Sequence, residues 1–371
     1  MRLPPPLRAR HRALPRGARR ACRRCRPAPA LLPPAGGGAV VTALVEVRGL
    51  TKRFVKRPDL AGRIAGRLGA DIRAETVHAV DGVDLAIAKG EVVGLVGESG
   101  CGKSTLGRMI AGLLEPTEGE VFFKGRSRVR LSGAEAREAR LAVQMLFQDP
   151  YASLNPRARV ETIVGEAPRV HGLVPRAKLA AYIDDLLARV GLSPDEVKRR
   201  YPHQFSGGQR SRIGIARALA VRPEVLVCDE AIAALDVSIQ AQILNLFMDL
   251  RASLNLTYLF ISHDLGVVEH ICDRVVIMYL GRVVEMVPTS ELFAGPNHPY
   301  AQALLAEVPR LDARKRVFEP IKGEIPSPLD PPHGCHFHPR CPHAMPRCRT
   351  EAPRLKAIAP GRLSACHLND A

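Results

Sequence analysis

The run Val92-Val-Gly-Leu-Val96 carries no polar side chain and passes directly into Gly97-Glu-Ser-Gly-Cys-Gly-Lys-Ser-Thr105, after which apolar residues recur at helical spacing from Ser104 to Leu114. A continuous apolar run of this length fits a strand buried on both faces, which is the signature of a parallel sheet covered by helices. The loop matches G-x-x-x-x-G-K-[ST], and each part has a physical purpose. Gly97, Gly100 and Gly102 let the backbone curl so that successive N–H groups, those of Ser99 and Thr105 among them, face a phosphate. The helix N-terminus adds its dipole, Lys103 neutralises β- and γ-phosphates, and the Ser104 hydroxyl is placed to hold Mg²⁺. Few architectures other than a P-loop α/β fold accommodate this combination.

A phosphate loop needs a second acidic site. Val225-Leu-Val-Cys-Asp-Glu230 supplies one, as an apolar strand ending in two carboxylates. Asp229 is placed to bind Mg²⁺, directly or through water, and Glu230 to polarise an attacking water. The rest of the chain reads as α/β around these two strands. Val45–Val47 and Val83–Ile87 alternate as strands on either side of a basic, Gly-containing insertion at about 55–76, and Gly119–Phe123 adds another. Residues 131–200 are charged, Ala- and Leu-rich and helical in tone, with 180–190 the clearest amphipathic stretch. Strands are expected again at 225–228 and 257–261, flanking a helix from Ser238 to Leu250 whose Ile239, Ile243, Leu246, Phe247 and Leu250 share a face. Val275–Met286 reads as a hairpin turning at Leu280-Gly281. After about residue 295 the chain becomes Pro-rich and irregular, a separate C-terminal extension. The expected organisation is a basic extension (1–40), a nucleotide-binding domain (41–295) with a helical subdomain near 131–212, and the extension 296–371.

The net charge of +17 invites a nucleic-acid reading until its location is considered. Residues 1–40 hold ten arginines and no acidic residue, leaving +7 for the remainder. That is ordinary for a globular domain, so no nucleic acid is expected as partner. The Pro/Arg/Gly-rich segment 1–40 cannot bury a core and is expected to be disordered, an extension without a folded role preceding a start near Val41. It fits a signal peptide poorly, because its apolar stretch is short and broken by prolines. No run reaches the ~18–20 apolar residues of a membrane span. Nine cysteines without a secretory signal point to a reducing compartment rather than a disulfide framework.

Tyr201-Pro-His-Gln-Phe-Ser-Gly-Gly-Gln-Arg210 resembles the signature motif of ABC-type ATPases and stands upstream of Asp229-Glu230, as that family's order requires. Gln148, in Met145-Leu-Phe-Gln-Asp-Pro150, resembles the Q-loop, Ala234-Leu-Asp236 the D-loop, and His263 the switch histidine; the resemblance covers about residues 45–371. It implies a P-loop core with a mostly parallel sheet, an antiparallel β subdomain and a helical subdomain. It further implies that Ser206, Gly207, Gly208 and Gln209 close over nucleotide held on the P-loop of a second subunit. Gln148 is then expected to sense γ-phosphate and metal, His263 to contact the γ-phosphate and hold the water, and Asp236 to couple the two sites. Ser206 also reads as a helix N-cap. Phe54 is a candidate for stacking on adenine, with a core phenylalanine as the competing reading. Ala231, Ala233 and Ser211 depart from the residues common at those places in the family.

The stretches Phe147–Pro156, Leu235–Gln242 and Asn297–Leu305 resemble the oligopeptide/dipeptide importer group, which also takes in nickel importers, and the match is nearer its F-type subunit. The resemblance implies an ATPase at the cytoplasmic face of the membrane, paired with a different ATPase subunit beneath two permeases fed by a substrate-binding protein. A soluble ABC ATPase acting on nucleic acid or ribosomes is the alternative from another class. Cys335, Cys341, Cys348 and Cys366 have the count for zinc or an iron–sulfur cluster, and their long gaps favour the cluster over tight zinc knuckles. The same region of the importer group carries a four-iron four-sulfur cluster in some members. His336, His338, His343 and His367 are weaker ligand candidates. Of the other cysteines, Cys101 is expected to be open to alkylation in the phosphate loop, Cys228 and Cys272 to be buried, and Cys22-x-x-Cys25 to be half a zinc site without a partner pair.

Overall fold

The computed structural model describes residues 43–56, 75–149, 153–307, 321 and 323–370, all inside one compact unit. The expectations for the segment 1–40, including Cys22 and Cys25, and for the body of the insertion after Phe54 lie outside these residues. β1 (Ala43–Lys56), β2 (Glu75–Ala88), β4 (Glu118–Phe123) and β5 (Arg126–Ser127) form a four-stranded antiparallel sheet in the order β2-β1-β4-β5. β1 is much longer than the expected Val45–Val47. Its pairing with β2 slips between Val47 and Leu50, and Gly49 there has φ +55°, so alternation breaks in mid-strand and only the first part looks periodic.

An eight-stranded sheet carries the phosphate loop. β3 (Val92–Val96) pairs in parallel with β8 (Thr257–Ile261) and β9 (Arg274–Tyr279); β7 (Val225–Asp229) pairs with β8 and with β6 (Val143–Leu146). Both faces of β3 are dry. Val92 and Val96 enter one core and Val93 and Leu95 the other, which is why the run has no polar position. β8 repeats the pattern, with Tyr258 and Phe260 on one side and Leu259 and Ile261 on the other. α1 (Lys103–Ala111) lies with the antiparallel sheet on the second face, where Leu106, Met109 and Ile110 are buried.

α2 (Gly133–Ala142), α3 (Val160–Val170), α4 (Leu179–Arg189) and α5 (Gly207–Leu219) occupy much of the stretch expected to be helical, and α4 buries Ile183, Leu186 and Leu187 as its amphipathic spacing predicts. The stretch is not helical throughout. β6 interrupts it, in register with β7 from Val143↔Val225 to Leu146↔Cys228. Four residues are too few for periodicity to separate a strand from a buried helical turn.

α6 (Val237–Leu254) buries Ile243, Leu246, Phe247 and Leu250, and α7 (Leu265–Ile271) follows β8. β9 turns through Leu280 and Gly281, both at positive φ, into β10 (Arg282–Pro288), the expected hairpin. The C-terminal extension is not separate from this core. After α8 (Pro299–Ala306), β11 (Lys356–Ala359) and β12 (Arg362–Ser364) join the main sheet beyond β10, with Glu285↔Ser364 and Met286↔Leu363 in register. Phe337 and Tyr300 are fully buried against Tyr279, with ring centroids 5.2 and 4.7 Å from it. Proline-rich composition describes the connecting loops and conceals this attachment.

Candidate active site

The phosphate loop bends where only glycine fits. Gly102, at φ +103°, caps α1, and a Cβ there would stand 2.0 Å from the Ala79 carbonyl oxygen on β2; one on Gly97 would stand 2.2 Å from that of Met278. Ser99 and Gly100 form the exposed outer turn. Lys103 is buried, and its ammonium donates to the carbonyls of Gly97 (2.6 Å) and Glu98 (2.9 Å). Thr105 follows on the first turn of α1, partly buried.

The second half of the site closes onto Asp229 and Glu230. Ser104 Oγ donates to Asp229 Oδ1 at 2.6 Å, linking the phosphate loop to the end of β7. Asp229 is buried, and desolvation holds its carboxyl above the usual carboxylate range despite the Ser104 hydrogen bond and the charge of Arg108. A bound dication would reverse that balance. Glu230 sits at φ +47°, a left-handed conformation that costs energy for a residue with a side chain, and its N–H donates to Ile261 O at 3.0 Å. The strain aims its carboxylate out of the sheet. There, Gln148 Nε2 donates to Oε2 at 2.7 Å and His263 Nδ1 stands 3.4 Å from Oε1. Gln148 arrives from the end of β6 and His263 from the end of β8, so three neighbouring strands converge on one carboxylate.

Ser206, Gly207 and Gln209 are exposed at the start of α5, while Gly208 is buried. Ser206 is the N-cap: its Oγ accepts from Gln209 N–H at 3.4 Å, and Gln209 Oε1 accepts from Ser206 N–H at 3.1 Å. Asp236 is exposed at the start of α6. Neither this group nor Asp236 is hydrogen-bonded to the Lys103–Glu230 cluster among the described residues. Phe54 is 43% exposed with Lys52 Nζ 5.2 Å above its ring, so it is a surface residue and not part of the core. Of the departures from the family pattern, Ala231 is buried, Ala233 is exposed, and Ser211 donates to Gly207 O at 3.2 Å within α5.

Cys101 differs from expectation. It is 3% exposed and burial pushes its thiol pKa up, so alkylation there meets an inaccessible, protonated sulfur. Cys228 and Cys272 are buried as anticipated.

Cys335, Cys341, Cys348 and Cys366 line one pocket, together with Phe337, His343 and Met345. Cys335 N–H donates to Cys348 O at 2.9 Å, which brings the first and third cysteines together. Burial, with the neighbouring thiols adding to it, pushes Cys335 up to about 11, and burial raises Cys341 and Cys366 as well. Thiols placed this way ionise when a cationic centre binds them. His367 uses both ring nitrogens, on Asp370 and on Glu351 O, and His336 turns Nδ1 to Leu280 O, so these two serve hydrogen bonds. Among the described residues no three His, Cys, Asp or Glu side chains stand close enough to hold a single metal ion.

Sequence reasoning missed Arg340 and Tyr300. Arg340 Nη1 and Nη2 donate to Glu98 Oε2 (2.7 Å) and Oε1 (2.9 Å) within the phosphate loop, and Tyr300 Oη accepts from Glu98 N–H at 2.8 Å. Nothing in periodicity or spacing ties residues 202 and 242 positions away to that loop.

Residues 80–233 match the ABC transporter family, and residues 284–348 match the oligopeptide/dipeptide transporter C-terminal region. The oligopeptide transport ATP-binding protein AppF of Bacillus subtilis is 50% identical over 329 residues, covering 88% of this chain and 97% of that protein. The probable peptide ABC transporter ATP-binding protein y4tS of Sinorhizobium fredii is 49% identical, covering 88% and 90%. Among solved structures, cbiO1 of Clostridium perfringens, part of the ABC transporter complex cbiONQ, aligns with a TM-score of 0.56 at 28% identity over 68% of this chain and 91% of that chain. The cassette MJ0796, a dimer in a post-hydrolysis state bound to ADP and Pi, aligns with a TM-score of 0.55 at 27% identity over 66% and 98%. Motif geometry, both matched regions and the near-full-length relatives agree: this chain belongs to the ABC transporter ATP-binding proteins of the oligopeptide/dipeptide transporter family.

Proposed function

We propose that this chain binds and hydrolyses ATP to drive uptake of di- and oligopeptides, as the ATPase subunit of an importer. The convergence of Gln148, His263 and the Ser104–Asp229 pair around Glu230 carries this reading. In the proposed reaction, water attacks the γ-phosphorus, the bond to the β–γ bridging oxygen breaks, and ADP and phosphate leave. Glu230 accepts the attacking water's hydrogen bond and draws its proton, His263 steadies the γ-phosphate side, and Lys103 balances negative charge on the β- and γ-phosphates. Ser104, Gln148 and Asp229 would hold Mg²⁺, which supplies charge neutralisation on the phosphate oxygens. Phe54, exposed near the end of β1, is assigned to the adenine.

Ser206, Gly207 and Gln209 are exposed and Gly208 is buried behind them at the N-terminus of α5, and the N-cap bonds engage only the Ser206 and Gln209 N–H groups, as suits an anion site completed by another subunit. Asp236 is assigned to the same interface. We assign the partner as a second ABC ATPase subunit, with two permeases and an extracytoplasmic substrate-binding protein completing the assembly. Among the described residues no helix is long and apolar enough to cross a membrane. The assigned place, at the cytoplasmic face, therefore rests on contact with the permeases. Peptide cargo is supported by the names of the relatives and by the matched C-terminal region.

The test is ATP hydrolysis by the transporter reconstituted with its permeases and binding protein. Stimulation by di- and oligopeptides is the expected result. Stimulation by Ni²⁺ alone would replace the cargo, and sedimentation of the chain with ribosomes in place of permeases would overturn the importer reading.

We also assign a four-iron four-sulfur cluster to Cys335, Cys341, Cys348 and Cys366. The donor set fits in kind: Cys335, Cys341, Cys348 and Cys366 are partly or fully buried and line one pocket, and as thiolates they would hold the group there.

A further inference from the structure

Glu98 is the second residue of the phosphate loop, and the C-terminal extension grips it at both ends. Its backbone N–H donates to Tyr300 Oη, and its carboxylate receives both guanidinium N–H arms of Arg340. The grip is buried. The Arg340 side chain is 4% exposed, that of Glu98 is 18% exposed, and Tyr300 is fully buried. Tyr279 joins it, with its Oη 3.4 Å from Arg340 and its ring packed on Tyr300. The loop is also held from below by Gly281 N–H, which donates to Cys101 O at 2.9 Å.

This is a poor device for stability alone. A buried ion pair gains little over an apolar replacement of the same shape, and here the Arg340 Nε is buried without a hydrogen-bond partner. What the pair does well is fix geometry, because a bidentate guanidinium allows a carboxylate only one orientation. The group it fixes is the loop whose N–H array must curl around phosphate. The Glu98 carbonyl is itself one of the two that hold the Lys103 ammonium.

We propose that Arg340 and Tyr300 are positioning residues for nucleotide binding, setting the phosphate loop from the C-terminal extension, and that the four-cysteine pocket reaches the ATP site through them. Arg340 ends the turn His338–Arg340 that lies between Cys335 and Cys341. That turn is pinned by His338 N–H to Cys335 O (3.0 Å) and by Arg340 N–H to Phe337 O (3.0 Å). Loss of order at the cysteines therefore releases the guanidinium. The proposal rests on the ATPase reading above, and binding of a non-hydrolysable ATP analogue separates the two: a chain that binds the analogue but never hydrolyses ATP fails the first reading while still testing this one.

The experiment compares full-length wild type with Arg340→Met, Arg340→Lys, Tyr300→Phe and Cys341→Ser, measuring analogue affinity, KM and kcat for ATP, and thermal midpoint. Arg340→Met should weaken analogue binding and raise KM by about tenfold, within the ordinary range of coupling between sites. kcat should change much less, because loop placement serves bound substrate and transition state alike. Arg340→Lys should recover part of the loss. Cys341→Ser should show the same split, and combining it with Arg340→Met should add little. Tyr300→Phe removes one acceptor oxygen without changing packing, so it tests the proposal even if Arg340→Met fails to fold. A lowered thermal midpoint with unchanged analogue affinity in Arg340→Met or Tyr300→Phe would overturn the positioning role. Full affinity in Cys341→Ser would sever the link to the cysteines.

Discussion

Glu230 shows how one residue combines legible and illegible properties. Its chemistry can be read from an apolar run ending in two acids. Its left-handed backbone cannot, since nothing about the letter E signals φ +47°. The conformation is imposed by β8 through the bond to Ile261 and points the carboxylate toward Gln148 and His263. Replacing Glu230 with Gln keeps the shape and the hydrogen bond to Gln148 but removes the carboxylate proposed to draw the water's proton. Phosphate release should fall by about 10²- to 10⁴-fold, the usual contribution of a general base, while binding of ATP persists. Parallel measurement of phosphate release and nucleotide binding checks this. Arg340 is the opposite case. As a basic residue in a cysteine-rich stretch it reads as solvated charge, and its partner Glu98 is identified only once the chain is folded.

At the scale of elements, long dry strands were readable because two cores claim both of their faces, as at β3, β7 and β8. β6 and β12 were not, because four and three residues hold too little pattern to assign. What ties β12 in place is also hidden. Glu285 on β10 is wholly buried and accepts from Asn297 N–H (3.0 Å), His298 N–H (2.8 Å) and Arg362 (3.2 Å), joining the start of α8 and β12 to the hairpin. Glu285→Ala takes the acceptor from the buried His298 N–H and the partly buried Asn297 N–H, while Arg362 keeps its bond to Gly295 O. The cost should be about 1–3 kcal/mol, the size found when a buried donor loses its acceptor. It should appear as a lower urea midpoint and as earlier protease cleavage in 356–370. Glu285→Gln, which keeps one acceptor oxygen, should lose less.

For the whole molecule, the order of motifs along the chain was enough to give the α/β architecture, and the cysteine count raises a cluster as an expectation for metal analysis to test. The relation between them was not legible. The extension reads as a separate Pro-rich segment, whereas in the fold it supplies two strands to the main sheet and two side chains to the phosphate loop. The metal content belongs to this scale, because it decides what holds the extension's irregular loops. Anaerobically purified chain should contain about four irons and four acid-labile sulfides, lost in Cys341→Ser. One zinc per chain would instead make the pocket a structural knuckle.

The position of β12 beside β10 also has a consequence in time. A chain emerging from the ribosome N-terminus first can assemble the parallel strands around the phosphate loop as soon as β9 and β10 have appeared. The outer edge of β10 stays open until residues 362–364 emerge, and Glu98 stays unclasped until Arg340 does. The phosphate loop is thus synthesised well before the side chains that clasp it.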